Sequence, residues 1–199
     1  MFGKLRPARG SSAARRERGF TLIELMISVA IIAVLATVAI PQFTHHMRSA
    51  RNAEATLMLD VIAKGAKAYY AAPRTSADGA RLPCQFPANV AATPVAGSCC
   101  DPGIDTDSDH RCDADPKAFD HPTWQALQFG LSSQHFFQYS FAGDGTLSAA
   151  TATIGAYADQ DCDGILSTFV LVLDGDPAAT LSGCDSVVSA GMYHEAETE

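Results

Sequence analysis

From Phe20 to Ile40 the chain reads FTLIELMISVAIIAVLATVAI, an apolar run of 21 residues interrupted by a single charge, Glu24. As a helix it would span about 30 Å, the thickness of a bilayer core. Beyond Pro41 the pattern changes. Phe43, Met47, Ala50, Ala53, Leu57, Val61, Ile62, Ala66 and Tyr69 or Tyr70 recur at three- and four-residue steps, and Arg48, Arg51, Glu54, Lys64 and Lys67 fall largely between them. This is the stripe of an amphipathic helix. The spacing therefore predicts one long helix over residues 20–72, with 20–40 in a membrane or a filament core and a kink at Pro41.

Residues 71–122 hold seven of the ten prolines, so regular structure there is expected to be scarce. A short helix is predicted around Thr123–Gln128. Strand signals then begin: the aromatic His135–Phe141, the small and Thr-rich Thr146–Ala156 after a Gly143–Gly145 turn, and the strongly apolar Ile165–Leu173. Three antiparallel strands between about 135 and 173, laid over the second half of the long helix, give an α+β head over residues 73–199. The stretch Ser182–Glu199 shows no pattern beyond Cys184.

Charge divides the chain further. Its first nineteen residues carry Lys4, Arg6, Arg9, Arg15, Arg16 and Arg18 against Glu17 alone, a net of +5, whereas the remainder carries −13. Positive charge upstream of the apolar run holds residues 1–19 in the cytoplasm and sends the C-terminal body outward. A cleaved secretory signal peptide competes with this reading, but its apolar core is usually shorter and Thr37–Pro41 is a poor cleavage site. The acidic body repels polyanions, so no nucleic-acid partner is expected.

Glu24 sits four residues inside the apolar run, where a carboxylate costs roughly 2.5 kcal/mol or more unless it lies near the interface or finds a partner. One reading places it at headgroup level. Another supplies a cation: cleavage between Gly19 and Phe20 would create an α-amine that a neighbouring, axially shifted copy could bring to Glu24. The string Arg16-Glu17-Arg18-Gly19-Phe20-Thr21-Leu22-Ile23-Glu24-Leu25-Met26 resembles the leader and N-methylation motif of type IV prepilins and type II secretion pseudopilins. The resemblance implies cutting after Gly19 by a prepilin peptidase, methylation of Phe20, subunit docking through Glu24 and a helix bent near Pro41. It also implies the partners: other pilin or pseudopilin subunits, the peptidase/methyltransferase and an inner-membrane assembly platform. The expected location is the bacterial inner membrane, then a surface pilus or a periplasmic pseudopilus. The motif covers about residues 15–50, and the head must be read separately.

Six cysteines lie in the head: Cys84, Cys99, Cys100, Cys112, Cys162 and Cys184. Outside the cytoplasm disulfides form, and six cysteines allow fifteen complete pairings. Cys99 and Cys100 are expected to diverge to separate partners. A zinc site of Cys84, Cys99, Cys112 and His110 is the competing reading, although it lacks CxxC spacing.

Two acidic loops complete the inventory. Asp159-Gln160-Asp161-Cys162-Asp163-Gly164 places carboxylates at alternate positions before a glycine, like the first half of a calcium loop, but Val170 stands where the bidentate glutamate of an EF-hand would be. Asp105, Asp107 and Asp109 form a second cluster with His110 in the glycine position. Solvated acidic turns are the alternative for both. Some pseudopilins hold calcium in a head-domain loop, which the resemblance carries over to Asp159, Asp161 and Asp163. No GxSxG, HExxH or Cys–His arrangement supports an enzyme. The expected function is a structural subunit, a minor pilin of a type IV pilus-like filament, with a type II secretion pseudopilin as the alternative and a membrane-tethered enzyme as a remote one.

Overall fold

The structure, a computed structural model, describes residues 19–95, 98–181, 183–184 and 187–195. The basic leader, residues 1–18, lies outside the described residues. The first element is helix α1, Leu22–Ala71, with Pro41 inside it. Its residues belong to two compact units, one ending at Gln42 and one beginning at Phe43.

In the first unit the side chains of Leu22, Ile23, Leu25, Met26, Ile27, Val29, Ile31, Ile32, Val34, Leu35, Val38 and Ile40 are all exposed. This is the one helix among the described residues that is long and apolar enough to cross a membrane. A helix apolar on every side has no polar face to offer water.

The second unit is α+β. Its sheet has five antiparallel strands in the order β1-β2-β3-β4-β5. They are β1 (Val90–Thr93), β2 (Gln138–Asp144), β3 (Thr151–Ala158), β4 (Ser167–Asp174) and β5 (Val188–Glu195). Along β4, Ser167, Phe169, Leu171 and Leu173 are buried and their neighbours partly exposed, which is the two-residue alternation of a sheet covered on one face. Across the ladder Ile154 faces Leu171 and Ala156 faces Phe169. The α1 residues Ala55, Leu59, Ile62, Ala63, Ala66 and Tyr70 join these strands in one core. Tyr70 closes the far end: its hydroxyl donates to the Leu147 carbonyl at 2.8 Å and accepts the Asp176 N–H at 3.1 Å. A short helix α2, Pro122–Ala126, brings Trp124 into the core, where the indole N–H donates to Thr93 Oγ1 at 3.0 Å.

Several expectations need correction. The sheet has five strands rather than three, because β1 forms within the proline-rich stretch and β5 within the seemingly patternless tail. β2 begins at Gln138 and runs to Asp144, through Gly143 of the expected turn, and a 3-10 turn over Leu147–Ala149 precedes β3. The buried stripe of α1 also has a different phase. It is Asn52, Ala55, Leu59, Ile62, Ala63, Ala66 and Tyr70, whereas Phe43, Met47, Leu57 and Val61 of the expected stripe are exposed.

The six cysteines form three bridges: Cys84–Cys184, Cys99–Cys112 and Cys100–Cys162. Cys99 and Cys100 thus turn to different partners. The zinc reading is overturned, since Cys84, Cys99 and Cys112 are all consumed in disulfides and a bridged sulfur is no thiolate ligand.

Candidate functional site

Gly19 and Phe20 precede α1 and are exposed, Phe20 at 87%. Thr21 is the N-cap. Its N–H and its hydroxyl both donate to Glu24 Oε2, at 2.9 and 2.7 Å, and its Oγ1 accepts the Glu24 N–H at 3.3 Å. This reciprocal arrangement is a capping box, in which two otherwise orphaned amide donors at the helix start are satisfied. Glu24 therefore has a local role that the sequence reading missed, although the T-x-x-E spacing of Thr21 and Glu24 signals it. Oε2 takes both bonds from Thr21, so the carboxylate is held at the positive end of the helix.

The two acidic loops are built alike. In the first, Asp105 accepts the backbone N–H of Asp109 (3.1 Å) and of His110 (2.9 Å), and Asp109 accepts that of Arg111 (3.0 Å). In the second, Asp159 accepts from Asp163 (3.1 Å) and Gly164 (3.0 Å), and Asp163 from Ile165 (2.8 Å). The backbone enters the left-handed region at matching places, Ser108 (φ 60) and His110 (φ 62) in one loop, Cys162 (φ 63) and Gly164 (φ 92) in the other. The missing glycine that set the first loop apart is thus no obstacle, because His110 adopts the conformation Gly164 does. In each loop, carboxylate oxygens of all three aspartates lie within 4.8 Å of one another. Such a convergence of hard oxygen donors suits a divalent cation.

Electrostatics in the first loop reflect this crowding. Burial pushes the Asp105 carboxyl up, but the N–H groups of His110, Asp109 and Ser108 outweigh it and hold the group below its ordinary range. Asp107 is raised, by loss of hydration first and then by the charge of Asp109. Asp113 is lowered by the hydroxyl and N–H of Thr106.

The loops are also fastened together and to α1. The Cys100–Cys162 bridge joins the segment leading into the first loop to the centre of the second, and His110 Nδ1 lies 2.8 Å from Cys162 Sγ. Arg48 pairs with Asp161 at 2.9 Å, and Arg51 donates to the Gln160 carbonyl at 3.3 Å. Neither arginine was singled out for this role by its place in the helical pattern. The expected position of a twelfth ligand, Val170, is a β4 residue paired with Gly155 and Tyr193, so the second loop supplies its cluster without an EF-hand glutamate.

A groove of about 450 Å³ runs beside Val61, Gly65 and Ala68 of α1 and Leu127, with Lys64 its one charged residue. It gathers no set of acid, base and nucleophile such as catalysis requires.

Residues 14–40 match the family described as the prokaryotic N-terminal methylation motif. The chain is similar to the type IV major pilin protein PilA of Myxococcus xanthus, 46% identical over 55 residues, which is 28% of this chain and 25% of the relative. It is similar to the type IV major pilin protein PilE1 of Neisseria gonorrhoeae, 41% identical over 54 residues, 27% of this chain and 33% of the relative. The fimbrial protein EcpB of Eikenella corrodens is 53% identical over 36 residues, 18% of this chain and 23% of the relative. The chain thus spans a quarter to a third of the length of these curated relatives. No solved structure matches it. The similarity to type IV pilins thus lies in the N-terminal part of the chain, where a methylation motif opens an apolar helix, and an α+β head follows it.

Proposed function

We propose that this chain is a structural subunit of a type IV pilus-like filament, a minor pilin assembled through its N-terminal helix after cleavage between Gly19 and Phe20. The observation that carries the reading is the combination of the methylation motif with an uncovered apolar surface: all twelve large hydrophobic side chains from Leu22 to Ile40 are exposed. Before assembly lipid covers this surface, with the leader in the cytoplasm and the head outside it. After assembly other subunits cover it. Prepilin peptidase cuts and methylates at Phe20, an inner-membrane platform extracts the helix, and Glu24 pairs with the amine of a neighbouring copy. The second, exposed stripe of α1, Phe43, Met47, Leu57 and Val61, extends the apolar surface available for packing against other subunits. The head, tied by three bridges and rich in aspartate, favours a specialised subunit over the bulk filament protein.

The aspartates have a part in this reading. Asp159, Asp161 and Asp163, and secondarily Asp105, Asp107 and Asp109, would hold calcium, which cancels the mutual repulsion of each carboxylate set; Asp161 would exchange Arg48 for the ion. Calorimetric titration of the chain with calcium chloride should show saturable heat that Asp159→Asn reduces; a flat titration removes calcium from the proposal.

The filament reading is tested by the intact mass of the protein in sheared surface filaments and in membranes. A methylated chain beginning at Phe20 in filaments supports the pilus subunit, and low abundance there supports the minor role. Processed protein confined to the membrane fraction would favour a secretion pseudopilin. Glu24→Ala should be inserted and processed but poorly incorporated, and normal amounts in filaments would sink the assigned role of that carboxylate.

A further inference from the structure

We propose that the Cys100–Cys162 disulfide is a thiol-exchange site, a latch between the two acidic loops that a dithiol can open while the other two bridges stay closed. The three disulfides differ in access. Cys99 and Cys112, 1% and 0% exposed, are sealed in the core, and Cys184 is 3% exposed beside a half-buried Cys84. Cys162 alone among the six is an exposed residue, and its partner Cys100 is half-buried. Exchange requires an incoming thiolate to reach a sulfur along the S–S axis, so access selects which bridge reacts.

The surroundings also suit both departing sulfurs. A thiolate of the reagent attacks Cys162 Sγ, forming a mixed disulfide there, and the electron pair of the broken bond passes to Cys100 Sγ. Once protonated by solvent, Cys100 has the Asp159 carbonyl as an acceptor, 3.2 Å away. The second thiol of the reagent then attacks its own sulfur in the mixed disulfide, closing the reagent to a cyclic disulfide and releasing Cys162. The departing Cys162 sulfur lies 2.8 Å from His110 Nδ1, which can donate a hydrogen bond to it when it carries its proton. The protein gains two electrons and two protons, and the dithiol loses them.

Opening the latch has a defined structural consequence. The bridge spans 62 residues and is the covalent tie between the first loop's segment and the second loop. Without it the Asp159–Gly164 loop is held to α1 by noncovalent contacts, among them the Arg48–Asp161 pair, the Arg51–Gln160 bond and the Gln160–Asn52 bond.

The test uses the full chain in detergent micelles, exposed to dithiothreitol for increasing times, alkylated with iodoacetamide and mapped by peptide mass. Cys100 and Cys162 should be labelled at least about tenfold faster than the other four cysteines, as accessibility dictates. Another bridge opening first, or all three opening at one rate, would overturn the proposal. A Cys100→Ser, Cys162→Ser double variant should lose the fast phase and keep the slow ones, and a fast phase that persists would equally overturn it. Selective reduction should also raise the rate of proteolysis within residues 159–166; unchanged cleavage there would refute the latch.

Discussion

The two halves of α1 share one helix and similar residues, yet they stand in opposite environments. Leu35, in the first half, is 64% exposed, whereas Leu59, in the second, is 0% exposed. The more uniformly apolar half is the one the chain leaves bare. Hydrophobicity therefore does not decide burial within this chain; a partner does. In the second half, one face carries Ala55, Leu59, Ile62 and Ala66 to the sheet while Asp60 and Lys64 pair with each other at the surface, so the contrast between faces lets the chain cover itself. In the first half no face is polar enough to be left in water, and in the function proposed above lipid or other subunits supply the cover.

The largest effect that could break this comparison comes from the same substitution made in each half. Leu59→Ala should destabilise the head by about 2–5 kcal/mol, the range for a buried leucine whose cavity cannot fully collapse. Leu35→Ala should change head unfolding by less than about 0.5 kcal/mol, as surface substitutions do. Fluorescence of Trp124, the chain's one tryptophan and fully buried, reports the transition in denaturant with the full chain in detergent. Equal destabilisation by both variants would show that the first half is covered by its own head.

A smaller effect tests how closely the second half is packed. At Gly65 an added Cβ would stand 2.1 Å from the Leu127 carbonyl oxygen and 2.9 Å from its carbon. Both atoms are backbone, so the methyl cannot be accommodated by turning a side chain. Glycine inside a helix ordinarily costs roughly 0.5–1 kcal/mol relative to alanine, and replacing it ordinarily helps. Here the sign should reverse: Gly65→Ala is expected to destabilise the head by about 1–3 kcal/mol through overpacking. Ala33→Val, a methyl-bearing change on the bare half, should leave head unfolding unaltered. A stabilised Gly65→Ala variant would mean that α1 and the segment after α2 are not in close contact.

How far the sequence could be read follows the same division. The bare half was legible as a helix from its local pattern, since 21 consecutive residues with one charge need no knowledge of what lies opposite, although the Thr21–Glu24 capping box at its start was missed. In the covered half the helix was legible but its buried face was not. Leu57 and Val61 are as apolar as Leu59 and Ile62, and alanines on both sides blur the count. What fixes the phase is long-range: Asn52 and Glu54 lie toward the head because Gln160 Nε2 donates to Asn52 Oδ1 and the Phe136 N–H donates to Glu54. Polar residues satisfied by distant loops look, in the sequence, like a solvent face. β5 was missed for a related reason. Its run Val188–Glu195 contains Gly191 and no regular alternation, and it becomes a strand by pairing with the strongly apolar β4. At the acidic loops the aspartate spacing was legible, whereas the shared left-handed backbone at His110 and Gly164 was hidden by the difference in side chain.

The smallest effect sharpens the comparison at its two glutamates. Glu24 on the bare half takes its hydrogen bonds from Thr21 in its own first turn, while Glu54 on the covered half reaches the sheet, accepting the Phe136 N–H at 2.9 Å and the Tyr139 hydroxyl at 3.3 Å. Burial pushes the Glu54 carboxyl above its ordinary value of 4.5, against the opposing pull of those donors and of the Arg111 charge. Loss of water around the ring, and after it the same carboxylate, raises the Tyr139 phenol. Because the folded state holds the Glu54 proton more tightly than the unfolded chain, the stability it contributes is complete below the unfolded value and is lost as pH rises through the folded one. Glu54→Gln keeps an oxygen for the Phe136 N–H and cannot ionise. The difference in Tm between variant and native chain should therefore grow in the variant's favour from pH 4 to pH 7, reaching on the order of a degree or two. Thermal unfolding across that range measures it. A difference that instead moves in favour of the native chain would mean that the donors and Arg111 outweigh burial, leaving Glu54 a stabilising anion under the sheet.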